Sequence, residues 1–380
     1  MRIALIPDKF KGSLTAAQVC DALEAGIRAV YPMAEIRRFA ASDGGDGFLE
    51  AVRAVRPMEV VQVPVTDPLG REITAAFLHD PKTGEAYIEM ARASGMELLS
   101  PGERDPTRTD TRGTGELILK AAELGARHIF VGLGGSGTND GGCGIASVFG
   151  YRFLDSDQKV LPPVGGSLNR ITRIVPPEVL PLSESVRITA VNDVNNPLWG
   201  PRGAAQVYAA QKGASPEDIQ KLDAGLQNLE ERVREQLGVD SGTLPGAGAA
   251  GGTAFGLKCF LGADFTSGTD LVLRLNGFEQ YLHGPKTDYV FTGEGRIDSQ
   301  TLNGKLIQGV LQLALAQKCP VVAVCGKCDA PMDALSHMGF GAVLEVSDPQ
   351  KSISYAMEHA HELVAEAVQE YLGQKNKKAY

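Results

Sequence analysis

The chain alternates short apolar runs with longer amphipathic stretches, the pattern of strands and helices packed in layers. Ile3-Ala4-Leu5-Ile6 is a continuous apolar run and predicts a buried parallel strand. Thr15 then stands at the cap of a helix running to about residue 29, with Val19, Leu23 and Ile27 at helical spacing and Pro32 as its stop. Residues 35–39 predict a second strand and 48–55 a second helix. Near Val60 the period changes to two. Val61, Val63 and Val65, then Ile73, Ala75 and Phe77, then Tyr87, Ile88 and Met90 predict an antiparallel meander, joined at Asp67-Pro68-Leu69-Gly70 and Asp80-Pro81-Lys82-Thr83-Gly84.

Beyond the meander, Gly113-Thr114-Gly115-Glu116 opens a helix to about residue 124 with Thr114 as cap, and 128–131 and 188–191 predict buried strands. The stretch 151–181 reads as irregular. Ser215, Pro216, Glu217 and Asp218 supply a cap, an N1 proline and first-turn acids for a helix to about residue 237. Residues 245–256, PGAGAAGGTAFG, read equally as a second close-approach loop or as a hinge. Strand and helix alternation returns with strands at 288–291, 321–324 and 342–346 and helices at 302–315 and 355–372. The simplest arrangement is one doubly wound α/β domain made of residues 1–60 and 287–380, with residues 61–286 inserted as a second α/β domain.

One stretch stands apart from this periodicity. Residues 132–142 read GLGGSGTNDGG, between a predicted strand and a predicted helix. Glycines there let backbone N–H groups approach phosphate oxygens, which makes Gly134, Gly135, Ser136, Gly137 and Thr138 candidates for nucleotide binding. Asn139 and Asp140 add groups that could hold a metal-bound water. The stretch lacks the acidic residue of the dinucleotide fingerprint and the GK[ST] of a Walker loop. Its alternative is a tight packing turn.

Composition narrows the classes. The 380 residues are 43% hydrophobic and 22% charged, with a formal net charge of −9, which disfavours nucleic acid and anionic membranes as partners. The N-terminus carries only a four-residue apolar run, too short for a signal region, and no stretch approaches the ~20 apolar residues of a spanning helix. Six scattered cysteines suggest reduced thiols and a cytoplasmic protein. Cys325 and Cys328 form a lone CxxC, and zinc would need two further ligands.

Chemistry collects at the predicted strand ends. Lys9 and Lys11 lie in the loop after the first strand, where open α/β sheets bind ligands. Asp43 and Asp46 stand three residues apart in a glycine-rich turn and suit Mg²⁺, although Asp46 could equally cap the next helix. Arg104, Arg108 and Arg112 sit in a polar loop fitted to clasp an acidic substrate. Asn192 and Asp193 follow one buried strand, and Glu294, Arg296 and Asp298 follow another.

PDKFKGSL at residues 7–14, SDGGDG at 42–47, GTGELI at 113–118, GLGGSGTNDGG, NDVNNPL, GAAGG and TGEGRID, followed by Gly304-Lys305, occur in this order over essentially the full chain. The set resembles the bacterial type I glycerate kinases. The resemblance implies a flavodoxin-like domain with a second α/β domain, and transfer of the ATP γ-phosphate to D-glycerate, most often at the 2-hydroxyl. The family usually has serine where this chain has Lys9, which makes Lys11 the better catalytic choice, and often alanine at the position of Gly137. Phosphoryl transfer needs phosphate binding, a divalent ion, cationic charge and a group that orients the attacking hydroxyl. On that chemistry Asp193, Asp298 and Lys11 are the catalytic candidates, with Asp193 favoured as base. Arg296, Arg108, Asn192 and Lys9 are candidates for glycerate, Lys305 for the nucleotide, and Asp43 and Asp46 for Mg²⁺. The expected partners are ATP and D-glycerate, with no nucleic acid and no membrane, in a monomer or homodimer. The alternatives are a kinase giving 3-phosphoglycerate or acting on another small hydroxy acid, and a non-catalytic sugar-acid or nucleotide sensor.

Overall fold

The computed structural model of the chain describes residues 1–40, 47–298, 305–348 and 350–378. It divides into two compact units, Met1–Ser42 with Thr269–Tyr380, and Asp43–Gly268. In chain order the strands are β1 (Arg2–Leu5), β2 (Glu35–Arg38), β3 (Glu59–Thr66), β4 (Glu72–Asp80), β5 (Glu85–Glu89), β6 (His128–Gly132), β7 (Arg152–Leu154), β8 (Arg173–Val175), β9 (Arg187–Val191), β10 (Asp264–Thr266), β11 (Tyr289–Ile297), β12 (Val321–Cys328) and β13 (Ala342–Glu345).

The first unit is a parallel sheet in the order β13-β12-β11-β1-β2. Counted as its strands enter the chain, that is 2-1-3-4-5, the flavodoxin-like order. Both faces are covered, and β1 shows why the sequence demands it. Ile3 and Leu5 point into a core with Val19, Leu23, Ile27, Val364 and Val368. Ala4 and Ile6 point into another with Phe39, Leu273, Phe278 and Val310. A strand buried on both faces has no polar alternation, hence its continuous apolar run. The helix Ala16–Val30 begins with a capping box between Thr15 and Gln18. It packs on the C-terminal helix at Gly26, where any side chain would overlap the Ala365 carbonyl oxygen.

In the second unit the sheet order is β10-β9-β6-β5-β4-β3. β3, β4 and β5 form the predicted antiparallel meander, with Val63, Val65, Ala75 and Phe77 turned to the core. β5, β6, β9 and β10 run parallel. The helix Pro216–Leu237 has the expected cap, with Ser215 and Asp218 exchanging bonds, and ends at Gly238 in the left-handed conformation. Residues 151–181, expected to be irregular, contain the antiparallel pair β7–β8, whose three-residue strands are too short to show a period.

The boundaries differ from the expected 60 and 287 by one helix on the first side and two on the second. The helix Phe48–Val55 belongs with the second unit because Phe48 packs on Tyr87 of β5, with ring centroids 6.1 Å apart. The helices Gly268–Leu275 and Phe278–Leu282 join the first, because Leu273, Phe278 and Tyr281 pack beside Phe39 and Val290.

Candidate active site

In the second unit, register sets the site. Glu89 pairs with Gly132, Gly132 with Val191 and Val191 with Thr266. The four parallel strands therefore end level, and the loops that begin at Met90, Leu133, Asn192 and Ser267 leave from one edge. Two of the predicted groups meet there. Asp193 Oδ1 accepts a hydrogen bond from Ser267 Oγ at 2.6 Å. The Asn192 N–H donates to the Thr266 carbonyl at 3.1 Å, and its side chain stands over Gly246.

The glycine stretch leaves β6 at this same edge and divides in two. Gly134 is half-buried and Gly135 exposed, with φ of +71° at Gly135. From Ser136 onward the segment is buried. The Gly137 N–H donates to Ser94 O and its carbonyl accepts from Thr109 Oγ1, both at 2.9 Å. Gly141 has φ of +62° and a side chain there would strike Leu229. The second glycine-rich segment packs directly on the first. Ala250, Gly251 and Gly252 are left-handed, and Gly251 O accepts the Gly141 N–H at 3.0 Å. Of the two readings of residues 245–256, close approach is the one observed, and a helix runs on to Leu261.

Asp140 is buried and holds this packing together. Its carboxylate accepts from Thr111 N–H at 2.9 Å, Thr111 Oγ1 at 2.8 Å, and the Gly142 and Gly144 N–H groups, each at 3.0 Å. Burial pushes its pKa up to about 6, aided by the nearby Asp110 and opposed by those donors. The expectation that Asp140 could hold a metal-bound water is corrected, because four protein donors occupy its oxygens. The expected Thr114 cap is also corrected. The helix Arg112–Glu123 starts two residues earlier, and the buried Thr114 hydroxyl lies 2.7 Å from Ser94 Oγ.

Lys212 carried no signal in the sequence beyond standing before a glycine. It is 3% exposed, and Nζ donates to Ser136 Oγ at 2.8 Å and to Thr138 O at 2.7 Å. Burial lowers its pKa to about 7, against the raising effect of Asp140. Arg108 is exposed in its loop, whereas Arg112 is paired with Asp110 at 2.7 Å.

In the first unit the strand order reverses between β1 and β11, and ligands of open α/β sheets bind at such a switch point. The loop after β1 carries Lys9 and Lys11, both exposed. Gly295 brings β11 against that loop, since a Cβ there would lie 3.2 Å from the Lys11 nitrogen. Arg296 Nε lies 2.6 Å from Asp329 and 3.9 Å from Asp298, so its closer partner is one the sequence reading did not name. Asp43, Asp46 and the side chain of Lys305 lie outside the described residues. Among the described residues no helix is long and apolar enough to cross a membrane. All six cysteines are free thiols.

A doubly wound parallel sheet binds ligands at its switch point, and a glycine-rich loop at the edge of the second unit's sheet suits phosphate. The profile of the Glycerate kinase family matches residues 3–374. The "Glycerate 2-kinase" of Escherichia coli K12 is 38% identical over 367 residues, covering 97% of this chain and 96% of that protein. The "Glycerate kinase" of Bacillus subtilis 168 is 37% identical, covering 95% and 94% respectively. A crystal structure from Salmonella typhimurium LT2, of a protein provisionally assigned as glycerate kinase 2, superposes with a TM-score of 0.82 at 36% identity, covering 100% of this chain and 99% of that one. The chain belongs to the glycerate kinase family, and as a kinase of that family it uses ATP as its phosphoryl donor.

Proposed function

We propose that the chain transfers the γ-phosphate of ATP to the 2-hydroxyl of D-glycerate, giving 2-phosphoglycerate. The observation that carries this reading is the edge shared by β6 and β9. It sets the tip formed by half-buried Gly134 and exposed Gly135 beside the loop of Asn192 and Asp193 on an adjacent parallel strand. The tip offers backbone approach to phosphate. Asp193 orients the attacking hydroxyl and takes its proton, with Ser267 fixing the carboxylate. The name of the Escherichia coli relative supports the 2-hydroxyl.

Asp193 with the Ser267 hydroxyl offers oxygen donors of the kind Mg²⁺ takes. We assign Asp43 and Asp46 as further Mg²⁺ ligands from the sequence. Held by these residues, Mg²⁺ would supply positive charge against the phosphates. In the first unit Lys11, Lys9 and Arg296 are assigned as cations for an anionic substrate, with Asp298 supporting Arg296. In the second unit Arg108 and Asn192 are assigned independently to glycerate, and Lys305 is assigned to the nucleotide. The reaction is assigned to the cytoplasm and to a monomer or homodimer.

The test is ADP release with ATP, Mg²⁺ and D-glycerate, followed by a phosphorus NMR spectrum of the product. The expected signal is 2-phosphoglycerate. A product phosphorylated at the 3-hydroxyl refutes the assignment of position, and binding without turnover refutes the enzyme reading. Asp43→Asn is expected to raise the Mg²⁺ concentration for half-maximal rate, and an unchanged requirement returns that turn to helix capping.

A further inference from the structure

Lys212 closes the short turn Ala210–Lys212, which ends at Gly213 with φ of +97°. Both acceptors of its ammonium belong to the segment just after the Gly134–Gly135 tip. Around them, Thr138 Oγ1 and both polar atoms of the Asn139 side chain are buried with no hydrogen-bond partner among the described residues. Burying an ammonium is costly unless it is paired, and a methionine would fill the same space without that cost. No carboxylate among the described residues is within ion-pair distance of Lys212. Asp140 acts on it from further away, with its own oxygens engaged by four other donors. The fold therefore keeps in its interior a lysine cation with no carboxylate partner among the described residues, its pKa lowered by burial to about 7, directly behind a surface loop of a protein whose net charge is −9.

The hydrogen bonding gives that cation a task. An ammonium is donor-only, so at the Nζ–Oγ contact Ser136 must accept. The proton of the Ser136 hydroxyl then points away from Nζ and is available to another acceptor. The bond is charge-assisted, which strengthens the hydroxyl as a donor. The second bond, to Thr138 O, fixes the backbone on the other side of Gly137.

We infer that Lys212 is the positioning residue of the phosphate-binding turn: it holds the Ser136 hydroxyl as a donor toward an ATP phosphate at the Gly134–Gly135 tip and places the balancing positive charge behind it. The inference rests on the tip being the phosphate site, as proposed above. At low dielectric a charge behind the loop acts on the phosphate without touching it.

The test uses the full chain carrying Lys212→Met, Lys212→Arg, Ser136→Ala, and Lys212→Met with Ser136→Ala, with Gly134→Val as a control on the tip. KM and kcat are measured for ATP at saturating glycerate and for glycerate at saturating ATP, with thermal unfolding alongside. Lys212→Met is expected to raise the KM for ATP about 10- to 100-fold, the range of a hydrogen bond involving a charged group, and to leave the KM for glycerate within about twofold. Lys212→Arg recovers part of the loss. Ser136→Ala raises the KM for ATP on its own and adds little in the Lys212→Met background. An unchanged KM for ATP in a folded Lys212→Met protein, or a rise confined to glycerate, overturns the inference. If Lys212→Met does not fold, Ser136→Ala decides, and an unchanged KM for ATP overturns it equally. If Gly134→Val raises the KM for ATP while the lysine and serine variants do not, the tip reading stands and the role of Lys212 falls. If Gly134→Val also has no effect, both fall.

Discussion

A side chain at Gly251 would overlap the carbonyl oxygen of Thr138, and Gly251 holds a φ of +65° that L-residues rarely adopt. The two glycine-rich segments of the second unit are thus pressed together backbone to backbone, with Gly256 set against Gly141 and Gly142 in the same way. Overpacking and a left-handed alanine act together at this position. Gly251→Ala is expected to cost about 3 kcal/mol, which lowers Tm by roughly 10 °C in a unit of this size. Thermal unfolding checks it. A Tm within about a degree of wild type would mean that the contact relaxes freely.

The tip of the first segment should respond differently. Gly134 has no left-handed φ and is half-buried, so a side chain there meets neither the backbone strain nor the full burial found at Gly141. Gly134→Val is expected to raise the KM for ATP about tenfold or more by keeping phosphate from the backbone, with a small change in Tm. Gly141→Ala, buried against Leu229 at φ +62°, is expected to show the reverse. If both variants lose only stability, the whole stretch is a packing turn.

Much of this architecture is legible in the residues. The change of period at Val60 marks the meander, and the unbroken apolar run Ile3–Ile6 marks a strand covered on both faces. Ser215-Pro216 announces its helix through local capping chemistry alone. What stayed hidden depends on contacts distant in the chain. Lys212 meets Ser136 across 76 positions, and Thr111 meets Asp140 across 29. No periodicity marks either pair. The same holds for Thr114, which looked like a cap because its partner Ser94 lies on another element. Asp329 opposite Arg296 is likewise a matter of strand register, since β11 and β12 carry the two to one end of the sheet.

Asp193 is half-buried and fixed by Ser267. Asp298 belongs to a charged group with Arg296 at 3.9 Å, and Arg296 in turn contacts Asp329. A base needs its carboxylate oriented toward the hydroxyl, and a carboxylate drawn to a neighbouring guanidinium is aimed at a structural partner instead. Asp193→Asn is therefore expected to lower kcat about 10²-fold or more at saturating ATP, Mg²⁺ and glycerate, and Asp298→Asn to lower it less. Because the transition state is loose, the loss stays below that of a fully covalent mechanism. Near-wild-type kcat in Asp193→Asn with a large loss in Asp298→Asn would reverse the two roles.

The buried ammonium also leaves a signature in stability against pH. In the unfolded chain Lys212 keeps its proton up to the ordinary lysine value of 10.5, whereas burial lowers the folded value to about 7. Between these values the unfolded chain binds more protons than the folded one, so this group makes stability rise as pH rises through the window. The slope is at most about 1.4 kcal/mol per pH unit for one proton. Asp140 is silent there, because its folded value of about 6 and its ordinary value of 3.8 both lie lower. In its own window, between those two values, the folded chain binds more protons and stability falls as pH rises. Comparing wild type with Lys212→Met cancels every group that both share. The difference in unfolding free energy from urea titrations at pH 7.5 and 9.5 is expected to shift in favour of wild type as pH rises, and bound ATP is expected to oppose that shift by favouring the charged amine. A difference independent of pH would show that Lys212 keeps the ordinary proton affinity of a lysine despite its burial.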